Sequence, residues 1–87
     1  VIGNDIFGNE LNRQLKNLGA DTSSLTVQKD SFNTYTYIKR MHGEREDPRI
    51  DFGLNNKRSL ETDAEILKNI RIALENYDVL VFNQQVV

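Results

Sequence analysis

The stretch Val1-Ile2-Gly3-Asn4-Asp5-Ile6-Phe7-Gly8, running on to Leu18-Gly19, decides how this chain is read. Two apolar residues end at a glycine, an Asn-Asp turn follows, and apolar residues then recur at helical spacing. Phe7, Leu11, Leu15 and Leu18 fall on one face of a helix. Asn4 or Asp5 is placed to cap its exposed amides, and Gly19 stands where a left-handed C-terminal cap is wanted. A strand tail feeding a helix is the opening half of a strand–helix–strand unit, the building block of a parallel sheet.

Downstream, Asp21-Thr22-Ser23-Ser24 is a turn-forming cluster, and Leu25 to Gln28 makes a short strand before the turn at Lys29-Asp30-Ser31. Residues 33–41 alternate, with Thr34, Thr36 and Ile38 on one face and Tyr35, Tyr37, Lys39 and Met41 on the other. That register predicts a strand. His42 to Pro48 is polar and charged and holds the only proline, so it reads as a loop. Arg49-Ile50-Asp51-Phe52 alternates again and is expected to return antiparallel to residues 33–41, followed by a loop from Gly53 to Arg58. Thr62-Asp63-Ala64-Glu65 has the form of a capping box. The helix it opens carries Leu67, Ile70, Leu74 and Tyr77 on one face, with Ile66 and Ala73 beside them. Val79-Leu80-Val81-Phe82 is continuously apolar, as in a parallel strand buried on both faces.

The order strand, helix, strands, helix, buried strand predicts an α/β fold: a parallel sheet with helices and an inserted antiparallel hairpin. The chain divides into residues 1–28 and 57–87, belonging to the main sheet, and residues 29–56, the inserted strands. It has 87 residues, 38% of them hydrophobic, and a mean hydropathy of −0.56, with no apolar run approaching the ~18 residues of a membrane span. Without cysteine there is no disulfide framework and no thiolate metal site. Eleven basic against thirteen acidic residues give no electrostatic case for a nucleic-acid or membrane partner. A cytoplasmic protein is the default expectation. The apolar beginning at Val1-Ile2 and the end at Val86-Val87 read as cuts through something buried, so a piece of a longer protein is expected.

Few residues suggest chemistry. Gly3 to Gly8 could present amides to a phosphate, but it lacks both the Gly-Lys-Ser/Thr of a P-loop and the middle glycine of a dinucleotide fingerprint. A turn at Gly3, a cap at Asp5 and close packing at Gly8 explain it better. His42 is the only histidine and reads as a solvated turn residue, with no second ligand for a metal and no partner for a catalytic triad. Lys39, Arg40, Arg45 and Arg49 could clamp an anionic group, or could simply be balanced by Glu44, Glu46, Asp47 and Asp51; the second reading is favoured. Tyr35 and Tyr37 read as strand-packing residues. Asn83-Gln84-Gln85 follows the apolar run, where ligands bind in open α/β sheets, and carboxamides suit sugar hydroxyls.

Taken in succession, Val1–Gly8, the helix ending Leu18-Gly19-Ala20-Asp21-Thr22-Ser23, Thr34–Lys39, Arg49–Phe52 and Glu75–Gln85 resemble the ribokinase-like (PfkB-type) carbohydrate kinases. The nearest branch is the one containing heptose-phosphate kinases. The resemblance runs through the whole chain in the family's order and implies a fragment of a ribokinase-like sandwich whose antiparallel strands form a lid over the sugar. It implies ATP-dependent transfer of a phosphoryl group to a hydroxyl of a sugar or sugar phosphate, with ATP and Mg2+ used by the complete enzyme. The family's D-T-x-G-A-G-D segment, which supplies base and anion hole, is not in this sequence, and of the upstream Gly-Gly…Asn signature only Gly3 remains. Tyr35 stands where many members have glycine, and Asn4 replaces a common aspartate. The resemblance therefore implies no catalytic residue in this chain. It implies a substrate-binding set of Thr34, Asn83 and Gln84, with Lys39, Arg40 and Arg49 as a clamp if the substrate already bears a phosphate. It also includes a homodimer through residues 33–52 among the oligomeric options. The alternative is a self-contained α/β binding or interaction module, which would have closed edges and would not expose Val79–Phe82.

Overall fold

The computed structural model describes residues 1–84. Gln85, read above as part of a polar strand-end cluster, lies outside the described residues, as do Val86 and Val87. Strand β1 (Ile2–Gly3) leads through helix α1 (Ile6–Asn17) to β2 (Val27–Gln28), and the two strands pair in parallel, Ile2 opposite Val27 and Gly3 opposite Gln28. The strand–helix–strand unit is thus formed as expected. Asp5 is the N-cap of α1, and Gly19 closes its far end at φ +82°. Gly8 has no room for a side chain. A Cβ there would lie 2.5 Å from the Gly3 carbonyl oxygen, so the first turn of α1 can descend onto β1 only with glycine at this position. Along the expected apolar face, Phe7 and Leu15 are half-buried, whereas Leu11 and Leu18 remain exposed.

Strands β3 (Thr36–Ile38), β4 (Met41–His42), β5 (Arg45–Glu46) and β6 (Ile50–Phe52) make an antiparallel ribbon. At its base Thr36 faces Phe52 and Ile38 faces Ile50; at its tip Met41 faces Glu46 and His42 faces Arg45. The expected return of residues 49–52 is therefore formed, but within the loop expected over 42–48, His42, Arg45 and Glu46 are strand. The chain turns in two residues, Gly43 and Glu44, with Gly43 at φ +58° as a tight hairpin requires. Charge alone disguised this region. Lys39 Nζ reaches Glu46 at 3.1 Å and Arg40 Nε reaches Asp47 at 2.7 Å across the ribbon, so its polar residues are cross-strand partners. Every residue from Lys39 to Glu46 is exposed, and the ribbon stands away from the rest of the chain.

The cap of helix α2 (Leu60–Asn76) lies three residues before the expected one. Ser59, not Thr62, is its N-cap. The Ser59 hydroxyl oxygen accepts the Thr62 amide at 3.0 Å, and Thr62 is buried inside the first turn. Glu61 and Asp63 in that turn complement the helix dipole. Ser59→Ala is expected to cost about 1 kcal/mol in urea unfolding, and Ser59→Asp, which keeps an acceptor, to recover most of it.

The packed face of α2 is Ile66, Asn69, Ile70 and Ala73, which line a cavity of about 370 Å³ together with Thr26, Val79 and Leu80. Leu67, Leu74 and Tyr77, placed above on the inward face, are exposed. Val79–Phe82, expected as a buried parallel strand, forms no strand, and Val79 and Phe82 are 77% and 78% exposed. A strand needs a neighbour to take up its backbone groups, and among the described residues no strand lies beside this run.

Apolar burial is correspondingly thin. Ile2 and Phe32 are the buried hydrophobic side chains among the described residues, beside the buried polar Thr26, Gln28, Thr34 and Thr62. The radius of gyration is 15.3 Å, against about 12 Å for a compact chain of this length. The accessible surface is 7550 Å², against roughly 5200 Å² for a folded monomer of this mass. Two helices and several short strands make the chain broadly α/β, with a ribbon that projects and an apolar face that stands uncovered. Among the described residues no helix is long and apolar enough to cross a membrane.

Candidate functional site at the foot of the ribbon

The junction between sheet and ribbon is built on one carboxylate. Asp5 Oδ1 accepts the Gly8 amide at 2.8 Å and the Thr34 hydroxyl at 2.7 Å, while Oδ2 accepts the Thr34 amide at 2.8 Å. The Thr34 hydroxyl in turn accepts the Gly3 amide at 2.9 Å. Burial pushes the Asp5 carboxyl up, but the hydrogen bonds from Thr34 and Gly8 outweigh it and hold the group below the usual aspartate range. The amides of Gly3 and Gly8 are thereby spent.

Thr34, implied above as a substrate-binding residue, is tied into this junction. It is only 5% exposed, and its hydroxyl is already engaged on both sides, so it anchors the ribbon to the sheet. Its neighbour Asn33 is exposed. The Asn56 carboxamide grips the Asn33 backbone at both groups, accepting its amide at 2.8 Å and donating to its carbonyl at 2.7 Å. Gln28 does similar work one step away. Its Nε2 donates to the carbonyls of Asp30 at 2.6 Å and Lys57 at 2.8 Å, and its Oε1 accepts the Ser59 amide at 3.0 Å.

These two carboxamides hold open a polar cavity of about 560 Å³ at the foot of the ribbon. Ser31, Asn33, Asp51, Asn55 and Lys57 line it, and Phe52 and Leu54 supply apolar wall. Phe52 is braced from behind by Phe7, ring centroids 5.4 Å apart. Ser31 is the one non-glycine at positive φ, +56°, among the described residues.

The basic residues Lys39, Arg40 and Arg49 are balanced by acids, as the favoured reading of the sequence has it. Lys39 is held by Glu46, Arg40 by Asp47, and Arg49 by Asp51 at 3.1 Å, with its guanidinium 5.0 Å above the Tyr37 ring. His42 Nε2 lies 3.0 Å from the same Asp47 oxygen that Arg40 uses. Lys39, Arg40 and Arg49 are thus each paired with a carboxylate along the ribbon. Asn83 and Gln84 are exposed and make no hydrogen bond to the ribbon among the described residues. The cavity-lining Ser31, Asn33, Asn55 and Lys57 escaped sequence reading because each sat in a stretch read only as a turn, strand start or loop. The doublet Asn55-Asn56 after Gly53 was the available signal. A scan against family models found no match to this chain, and searches of curated proteins and of solved structures found none either.

Proposed function

We propose that this chain is the lid-bearing part of an ATP-dependent kinase that phosphorylates a hydroxyl of a sugar or sugar phosphate. One observation carries the reading: a parallel strand–helix–strand unit runs directly into a projecting antiparallel ribbon, with a polar cavity at the ribbon's foot. The resemblance to ribokinase-like kinases calls for such a lid, and phosphoryl transfer rests on positioning the acceptor and excluding water. ATP and Mg2+ are, in this proposal, used by the complete enzyme, and here the Gly3 and Gly8 amides are held by Thr34 and Asp5. The base and the nucleotide site belong, in this proposal, to sequence outside these 87 residues. What this chain does is orient hydroxyls with Ser31, Asn33 and Asn55 and cover the sugar with the ribbon. A cytoplasmic enzyme fits this role. The exposure of Val79 and Phe82 weighs against a self-contained interaction module, whose core would cover them.

The test is ADP release by the full-length protein across a panel of sugars and sugar phosphates. At least one acceptor is expected to raise turnover well above the rate without sugar, and the 87-residue chain alone to release none. A full-length protein that no acceptor stimulates would overturn the reading.

A further inference from the structure

We propose that the cavity at the ribbon's foot binds a polyhydroxylated ligand carrying an anionic group, with Lys57 holding the anion and Asn33 and Asn55 the hydroxyls. In taking that ligand to be a phosphorylated sugar, the proposal rests on the kinase reading above. The chemistry of the wall comes first. The side chains of Ser31, Asn33, Asn55 and Lys57 line the cavity and have no hydrogen-bond partner within the chain among the described residues. A hydroxyl and two carboxamides offer donors and acceptors together, as a polyol needs, and the ammonium offers donors only.

Preorganisation comes second. The Lys57 backbone is fixed at both groups, its amide on the Ser31 carbonyl at 3.3 Å and its carbonyl on Gln28 at 2.8 Å. The Asn33 backbone is fixed at both groups by Asn56. Two side chains left free on a pinned backbone lose little further backbone freedom when a ligand arrives. Charge comes third. Asp51, the carboxylate in the wall, is already neutralised by Arg49, while Lys39, Arg40 and Arg49 are each matched to an acid. Lys57 is the cation at this cavity with no carboxylate to answer.

The test is a side-chain amide NMR titration of the isotope-labelled full-length protein. The probes are hexose and heptose phosphates, the same sugars without phosphate, and inorganic phosphate alone. At least one sugar phosphate is expected to shift the Asn33 and Asn55 carboxamides saturably, with the neutral sugar and inorganic phosphate each about tenfold weaker or more. Lys57→Ala is expected to weaken the sugar phosphate about tenfold and leave the neutral sugar unchanged, while Lys57→Arg stays within about threefold. Unshifted Gly8 and Thr34 resonances in both variants report that the fold is intact. Equal binding of phosphorylated and neutral sugars, no effect of Lys57→Ala, or no saturable shift at Asn33 and Asn55 would each overturn the proposal. If the full-length protein released ADP with neutral sugars alone, the kinase reading would survive and the Lys57 assignment would fall.

Discussion

Asp5→Ala is expected to destabilise the chain by about 3 kcal/mol, more than any exposed substitution. Its carboxylate satisfies three donors at once: the Gly8 amide, the Thr34 amide and the Thr34 hydroxyl. A buried donor left without an acceptor costs roughly 1–3 kcal/mol, and loss of an N-cap alone costs about 1 kcal/mol. Asp5 is half-buried, so water can reach part of the vacated site, which keeps the sum near the lower end. Thr34→Val should cost less, since it removes one of the three donors and the acceptor for the Gly3 amide. The effect carries a pH signature. Hydrogen bonding holds the folded-state pKa of Asp5 below its unfolded value. Its contribution is therefore complete above the unfolded pKa near 4 and is lost as pH falls through the lower folded value. Urea midpoints of wild type and Asp5→Ala should lie furthest apart at neutral pH and converge below about pH 4. A constant separation down to pH 2 would show that the carboxylate's charge is not what binds the ribbon to the sheet.

The same junction shows what was legible in the sequence. Several local rules held: Asp5 before a helical run, Gly19 after it, and alternation at Thr36–Ile38 and Ile50–Phe52 all formed as read. Gly8 was read as a close-packing glycine, and the Gly3 carbonyl is what it packs against. What could not be read were side chains whose partners lie far along the chain. Thr34 is bonded to residues 29 and 31 positions away, and nothing in a Thr-Tyr-Thr-Tyr pattern distinguishes a hydroxyl aimed at substrate from one aimed at an aspartate. The basic stretch reads correctly as balanced by nearby acids, but its pairing does not follow from the sequence. Its acids are near in sequence, but only the two-residue turn at Gly43-Glu44 determines which acid faces which base.

The end of the chain failed for a third reason. Continuous apolarity at Val79–Phe82 states that the segment belongs in an interior, not that the interior is supplied by these residues. The cap of α2 is a matter of competition between neighbours: Ser59 and Thr62 are both competent caps, and Ser59 prevails because Gln28 also holds its amide. Two long-range carboxamides, Gln28 and Asn56, therefore determine where the ribbon starts and the last helix begins. Both residue types pass in a sequence as ordinary polar filler.

Gln28→Leu should reveal how much depends on this. Gln28 is 7% exposed, and its three hydrogen bonds tie β2 to the turn at Asp30, to the cavity wall at Lys57 and to the first amide of the α2 cap. Leucine fills a similar volume but leaves the Ser59 amide and two carbonyls unanswered, for an expected loss of about 3 kcal/mol in urea unfolding. Gln28→Glu should be no better, since a carboxylate would face the Asp30 and Lys57 carbonyls without a donor between them. Because Gln28 and Ser59 serve the same helix end, Gln28→Leu combined with Ser59→Ala should cost less than the sum of the two, by about 0.5 kcal/mol or more. Strict additivity would mean that Gln28 supports the cavity wall alone. Lys57 gives a second readout that global stability would not move. Under conditions where Gln28→Leu remains folded, freeing the Lys57 carbonyl should weaken sugar-phosphate binding at the cavity, whereas Ser59→Ala, which leaves that carbonyl bonded to Gln28, should not.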